Sequence, residues 1–225
     1  MPVSMAWGDT GTLCSLGHRP HLLDGIMKLY GSSLVVTEAV AAELYAMARI
    51  PNARRTADNR LRCLSAERVV RALDDGRIRV CPLLESEETL AKLDRVLRKL
   101  NMIEARQQER TGKMSDPFRS APKHTGEAHS IVSAMRTIEH GGTTVFLTND
   151  GGASLVAQHH GITSRHVGHL LAELACADQT VTATDLLEHF TVVTSHFATV
   201  PADARPSGSD FFECRSLNGN CSLCV

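Results

Sequence analysis

A chain of 225 residues that is 43% hydrophobic can build one substantial core, and with aromatics at only 4% that core must rest on Leu, Val, Ala and Ile. The formal net charge of −1 excludes a global electrostatic pull toward nucleic acid or anionic membrane, so any such footprint is local. No apolar run approaches the roughly 18 residues of a membrane span, and the opening MPVSMAWGDTG lacks the basic and apolar regions of a secretory signal, which makes the cytoplasm the expected compartment.

In chain order, a weakly written strand over 3–8 ends at Asp9. Helices are expected over 10–16 and from Pro20 to Gly31, which stands where a helix C-cap would. Residues 33–37 are short and β-branched, as a buried strand is, and the helix of 38–50 after them is ended by Pro51. From 52 to 76 the pattern is helical and charged, with Leu61, Leu64, Val69, Val70 and Leu73 as its apolar stripe. RIRVCPL then reads as a short buried or edge strand. Ser86 is an N-cap for a helix with Leu90, Leu93, Val96, Leu97 and Leu100 at helical spacing, running to about Leu100 or beyond. The stretch 114–125 is loop-like, with Asp-Pro and Ala-Pro, and Thr125 N-caps a helix reaching His140. TTVFLT is a central strand; a helix follows Asp150, then a brief strand at 162–164 and helices over 170–177 and 183–190.

Strands alternating with helices, with no hairpin signal between them, predict an α/β fold: a three-layer arrangement with a central, mostly parallel sheet flanked by helices. It occupies 1–198, with a helical insertion at about 52–115. After Pro201, PADARPSGSD predicts a flexible, Cys-containing tail over 199–225, and removal from Ala202 onward is expected to leave activity unchanged. Of seven cysteines, four stand singly in regular elements as small apolar residues, and the odd count argues against a disulfide framework. Cys214, Cys221 and Cys224 are either free thiols, the expected reading, or part of a zinc site short of a ligand. Neither GxGxxG nor GxxxxGK[ST] occurs, which disfavours a nucleotide-cofactor enzyme.

Four acids stand out against this frame: Asp9 and Asp150 directly after strands, Glu43 and Glu127 in the first turns of helices. In an open α/β sheet the carboxyl ends of the strands and the adjacent helix starts face one crevice. Carboxylates gathered there repel one another, and a hard divalent cation with oxygen ligands, Mg²⁺ or Mn²⁺, relieves that repulsion. Each acid alone is more often a cap, a turn residue or a complement to a helix dipole; the ordered set is what points to a shared site.

DTGTL with Asp9, VVTEAVAAEL with Glu43, TGEAHSI with Glu127 and LTNDGGASLVAQHHGI with Asp150 appear in this order, and together they resemble the PIN-domain nucleases, in particular the VapC-like toxins of bacterial toxin–antitoxin pairs. The resemblance spans roughly residues 3–195, and the chain is longer than the usual toxin. It implies a metal-dependent endoribonuclease that hydrolyses RNA phosphodiester bonds, with Asp9, Glu43, Glu127 and Asp150 as catalytic and metal-binding residues and Mg²⁺ or Mn²⁺ as cofactor. It further implies a homodimer, a small antitoxin protein as partner and no membrane. Which acids ligate directly stays open. Thr10, Thr148 and Asn149 are placed to hydrogen-bond the carboxylates or the substrate, and Arg119, Lys123 and His124, leading into Glu127, to meet the substrate. Arginines from Arg49 to Arg71 and the basic residues from Lys92 to Lys113 are either phosphate contacts or solvated helix faces. The alternatives are a non-catalytic PIN-like binding module and a structure-specific DNA nuclease of the same superfamily.

Overall fold

Residues 3–111, 124–178, 180–197, 200 and 205–213 are described in this computed structural model; Arg119, Lys123, Cys214, Cys221 and Cys224 lie outside them. The first strand, β1 (Met5–Gly8), leads through α1 (Thr10–Gly17) and α2 (Pro20–Tyr30) to β2 (Leu34–Thr37). Next, α3 (Glu38–Ala48) and α4 (Ala57–Asp74) precede β3 (Arg79–Cys81), and α5 (Glu87–Thr111) and α6 (Thr125–Glu139) precede β4 (Thr144–Leu147). After α7 (Gly151–His159) come β5 (Thr163–Arg165), α8 (Val167–Ala177) and α9 (Ala183–His196). The strands form one sheet in the order β3-β2-β1-β4-β5, and every neighbouring pair is parallel. The expected three-layer α/β architecture is present, with the sheet parallel throughout.

Alternation along the strands separates two cores. Ala6, Leu34, Val36, Val145 and Leu147 face a core built with α1, α2, α3, α4, α8 and α9. Trp7, Val35 and Phe146 face a second core completed by α5, α6 and α7. The described part of the expected insertion, 52–111, therefore serves both layers: α4 supplies Ala66, Val69, Ala72 and Leu73 to the first, α5 supplies Val96 and Leu100 to the second. β3 is an edge strand with Arg79 and Val80 exposed, and its pairing with β2 registers Val36 against Val80. No described helix is long and apolar enough to cross a membrane.

Helix α5 takes the longer of its expected extents and continues past Leu100, with Ile103 extending the apolar stripe onto the second core. Two expectations need correction. The N-cap of α6 is His124, in a left-handed conformation (φ 67°), and Thr125 is already helical. The described part of the tail is docked: Ser209–Phe212 forms a 3₁₀ turn and Phe212, 1% exposed, enters the first core. The Pro, Ser and Gly content of the segment hid the anchoring effect of one aromatic pair, Phe211 and Phe212, stacked edge to face at 5.2 Å.

The arginines of the basic run are also more committed than their charge suggests. Arg55 donates to the Ile50 and Ala48 carbonyls and pairs with Glu67 at 2.5 Å. Arg62 donates to the carbonyls of His196 and Phe197, and Arg68 to those of Gly17 and His18. These carbonyls belong to the C-terminal ends of α3, α9 and α1, where no intrahelical donor remains. Three side chains of the run thus serve as clamps on helix ends, which removes them from the phosphate-contact expectation.

Candidate acidic site at the carboxyl ends of the strands

Strand β1 has β2 on one side and β4 on the other, so the chain reverses its direction across the sheet beside β1, and a crevice opens past the carboxyl ends of β1 and β4. Asp9 follows β1 at that point. It is the N-cap of α1: Oδ1 accepts from the Thr12 amide at 2.5 Å, and Oδ2 accepts from the Thr148 hydroxyl at 2.5 Å. The side chain is buried, 6% exposed. Burial lifts its pKa from the ordinary 3.8 to about 7 against the lowering effect of the Thr148 and Thr12 hydrogen bonds, and the negative charge of Glu127 adds to the rise.

Asp150 stands past the end of the neighbouring β4, after Thr148 and Asn149, and repeats the pattern as N-cap of α7, with Oδ1 accepting from the Ala153 amide at 2.7 Å. It is exposed at the rim. Thr148 ties the two strand ends together, because the hydroxyl that donates to Asp9 also accepts from the Asp150 amide at 3.1 Å.

Glu43 and Glu127 reach the crevice from helices. Glu43 projects from α3, and its Oε2 accepts from the Thr10 hydroxyl at 2.5 Å, one residue along from Asp9. Gly126 explains how α6 comes so close. A Cβ there would lie 3.0 Å from Glu43 Oε1 and 3.1 Å from Val40 Cγ2, so the absence of a side chain seats the first turn of α6 against α3. Glu127 follows immediately, its side chain 25% exposed, with Oε1 4.0 Å from His124 Nδ1.

Of the three expected partners of the acids, Thr10 and Thr148 bond carboxylates directly. Asn149 does not: it is buried and joins Ser15 of α1 to the Val167 amide at the start of α8, a structural tie beneath the crevice. His124 does not present itself to a substrate either. Its side chain is 8% exposed and its Nε2 lies 2.9 Å from Glu104 Oε2 on α5. Glu104 is a carboxylate the sequence reading did not single out; the signal was the continuation of the apolar stripe of α5 to Ile103, which puts residue 104 beside His124.

The donor set is all oxygen apart from His124, which suits a hard cation. As the side chains stand, they do not close around one: among the described residues no three His, Cys, Asp or Glu groups come together as a ready metal site. What the geometry does provide is a carboxylate-lined crevice in which Asp9 and Glu127 feel each other's charge and hydroxyls hold Asp9 and Glu43 in place. Compared with family models, with curated proteins and with solved structures, the chain matches none.

Proposed function

We propose that this protein is a metal-dependent endoribonuclease of PIN type that hydrolyses RNA phosphodiester bonds, with Asp9, Glu43, Glu127 and Asp150 as its acidic centre. The observation that supports the reading is geometric: the Thr148 hydroxyl bonds both the buried Asp9 carboxylate and the Asp150 amide, and Thr10, next to Asp9, bonds Glu43. Burial is unfavourable for an ionised carboxylate, and a bound cation would supply the compensating charge. Mg²⁺ or Mn²⁺ would be held by members of the four acids, and it would supply Lewis-acid stabilisation of the phosphoryl group and a more acidic water. The chain's own part is to fix the carboxylates: Thr148 orients Asp9 and Thr10 orients Glu43.

A purified sample assayed on single-stranded RNA should cleave in Mn²⁺, lose cleavage in EDTA and regain it with added metal. The Asp150→Asn protein should lose at least about 100-fold in kcat while remaining folded, the scale on which removal of a charge-stabilising group acts. Full activity of Asp150→Asn would remove the assignment. The same reading extends to the toxin of a toxin–antitoxin pair, with a small antitoxin protein as partner, a homodimer as assembly and the cytoplasm as compartment; growth arrest on induced expression, relieved by Asp9→Asn, supports that extension. A non-catalytic binding module is the second reading, favoured by the open arrangement of the acids in the described residues. Absence of both arrest and Mn²⁺-dependent cleavage selects it, and cleavage confined to structured DNA selects a DNA nuclease.

A further inference from the structure

The Thr148 hydroxyl serves both strand-end acids, donating to Asp9 Oδ2 at 2.5 Å and accepting from the Asp150 amide at 3.1 Å. Thr148 itself stands outside regular structure, after β4 ends at Leu147 and before α7 starts at Gly151. Its backbone has to be fixed by something other than strand or helix bonding. We propose that His166, the residue between β5 and α8, is a positioning residue that sets the Thr148 hydroxyl between Asp9 and Asp150, a role that rests on the nuclease reading above.

The Thr148 amide continues the pairing of β4 with β5 by donating to the Arg165 carbonyl at 3.0 Å. In a continued parallel ladder the Thr148 carbonyl would accept from the amide two residues beyond Arg165, that of Val167. That amide is diverted and donates to Asn149 Oδ1 at 2.9 Å. The His166 ring supplies the missing donor, with Nδ1 2.5 Å from the Thr148 carbonyl oxygen. A carbonyl only accepts, so Nδ1 carries the hydrogen. Thr148 and His166 are both buried, and a buried carbonyl needs such a partner. Residues 165–167 thus hold the Thr148 amide, the Thr148 carbonyl and the Asn149 side chain. Asn149 Nδ2 carries the tie on to Ser15 Oγ at 3.2 Å, and Ser15 donates to the Gly11 carbonyl at 2.8 Å, within the helix that Asp9 caps. With its amide and carbonyl both anchored, Thr148 can aim its hydroxyl at Asp9 and at nothing else. A packing role would be met by the neighbouring His169 ring, 5.6 Å away, and asks for a ring; the short contact with the Thr148 carbonyl asks for a donor.

Three substitutions in the full chain separate these roles. His166→Asn places an amide donor close to the Nδ1 position, His166→Gln places one near Nε2 instead, and His166→Phe keeps a ring with no donor. The Gln and Phe variants should lower kcat on RNA in Mn²⁺ by about 10- to 100-fold with KM within about twofold of the parent, and the Asn variant should stay within about threefold in both. In the metal-free protein, hydrogen exchange of the Asp150 amide should be faster by up to about 10-fold in the Gln and Phe variants and close to the parent in the Asn variant. The Asp9 amide, which donates to the Leu147 carbonyl at 3.0 Å, is the reference and should not change. Full activity of His166→Phe, or an Asn variant as impaired as Phe, would overturn the proposal. So would equal acceleration at the Asp9 and Asp150 amides, which would make His166 a support of the strand ends as a whole. Failure of the parent protein to cleave any RNA would instead remove the nuclease reading, and the exchange rates would then decide by themselves whether His166 sets the Thr148 hydroxyl.

Discussion

Asp9 combines two properties that oppose each other: it caps a helix, which favours an ionised oxygen, and it is buried, which does not. Its folded pKa of about 7 lies above the ordinary 3.8, so between these values the folded protein binds more protons than the unfolded chain. Stability of the metal-free protein therefore falls as pH rises through that window, by at most about 4 kcal/mol at 1.36 kcal/mol per pH unit. Asp9→Asn keeps an oxygen for the Thr12 amide and removes the charge. It should stabilise the metal-free protein at pH 8 by about 1–3 kcal/mol and change it little at pH 5, as read from urea unfolding, while abolishing cleavage. A variant that is destabilised at pH 8 would show that the buried charge is already compensated within the chain. At this scale the sequence was legible where chemistry is local. Asp9 directly follows β1 and Asp150 comes soon after β4, and their positions could be read from the strand pattern. The pairing of His124 with Glu104 could not, because His124 stands in a left-handed conformation and Glu104 comes from a helix 20 residues earlier in the chain.

Among the elements, α4 uses its arginines in a way that neither expected reading included. A helix with this many arginines reads as a phosphate-contacting or a solvated face, and composition cannot distinguish either from an arginine that reaches across to an open helix end. Arg62 and Arg68 do the latter, each donating to two carbonyls. Arg68→Ala should cost about 1–3 kcal/mol of stability, the range for losing hydrogen bonds made by a charged donor. It should leave the salt dependence of RNA affinity unchanged. Arg106 and Arg110, exposed on the distal half of α5, share a helical stripe with Ile103, which lies against the start of α7 beside Asp150. Reversing both charges should flatten the slope of log affinity against log salt by about 0.7 for each lost phosphate contact. Filter binding from low to moderate salt separates the two cases; a flattened slope in Arg68→Ala with an unchanged slope in the Arg106 and Arg110 variant would invert the assignment.

For the whole molecule, the sheet and its flanking layers were legible because short apolar runs alternate with amphipathic helices from one end to the other. The boundary of the folded unit was not, since one buried ring outweighs a polar, glycine-containing neighbourhood. Phe212 lies 6.5 Å, centroid to centroid, from Phe190 of α9, and Arg205 secures the approach by donating to the Val200 carbonyl at 2.8 Å. Phe212→Ala should cost about 3–5 kcal/mol, and a chain ending at residue 201 should lose at least as much by thermal or urea unfolding. Stability unaltered by either change would return the segment to the status of a dispensable tail.

The bond between Thr148 and Asp9 spans 139 residues of sequence, and β1 pairs with β4 over the same distance. Closing so long a loop is slow, and the entropy it costs must be met before the contact gives anything back. During synthesis, three of the four acids have been made before the strand that brings the fourth exists. The crevice is thus a late product of folding, and a nascent or truncated chain lacking β4 carries most of the acidic residues without the strand pairing that brings them together.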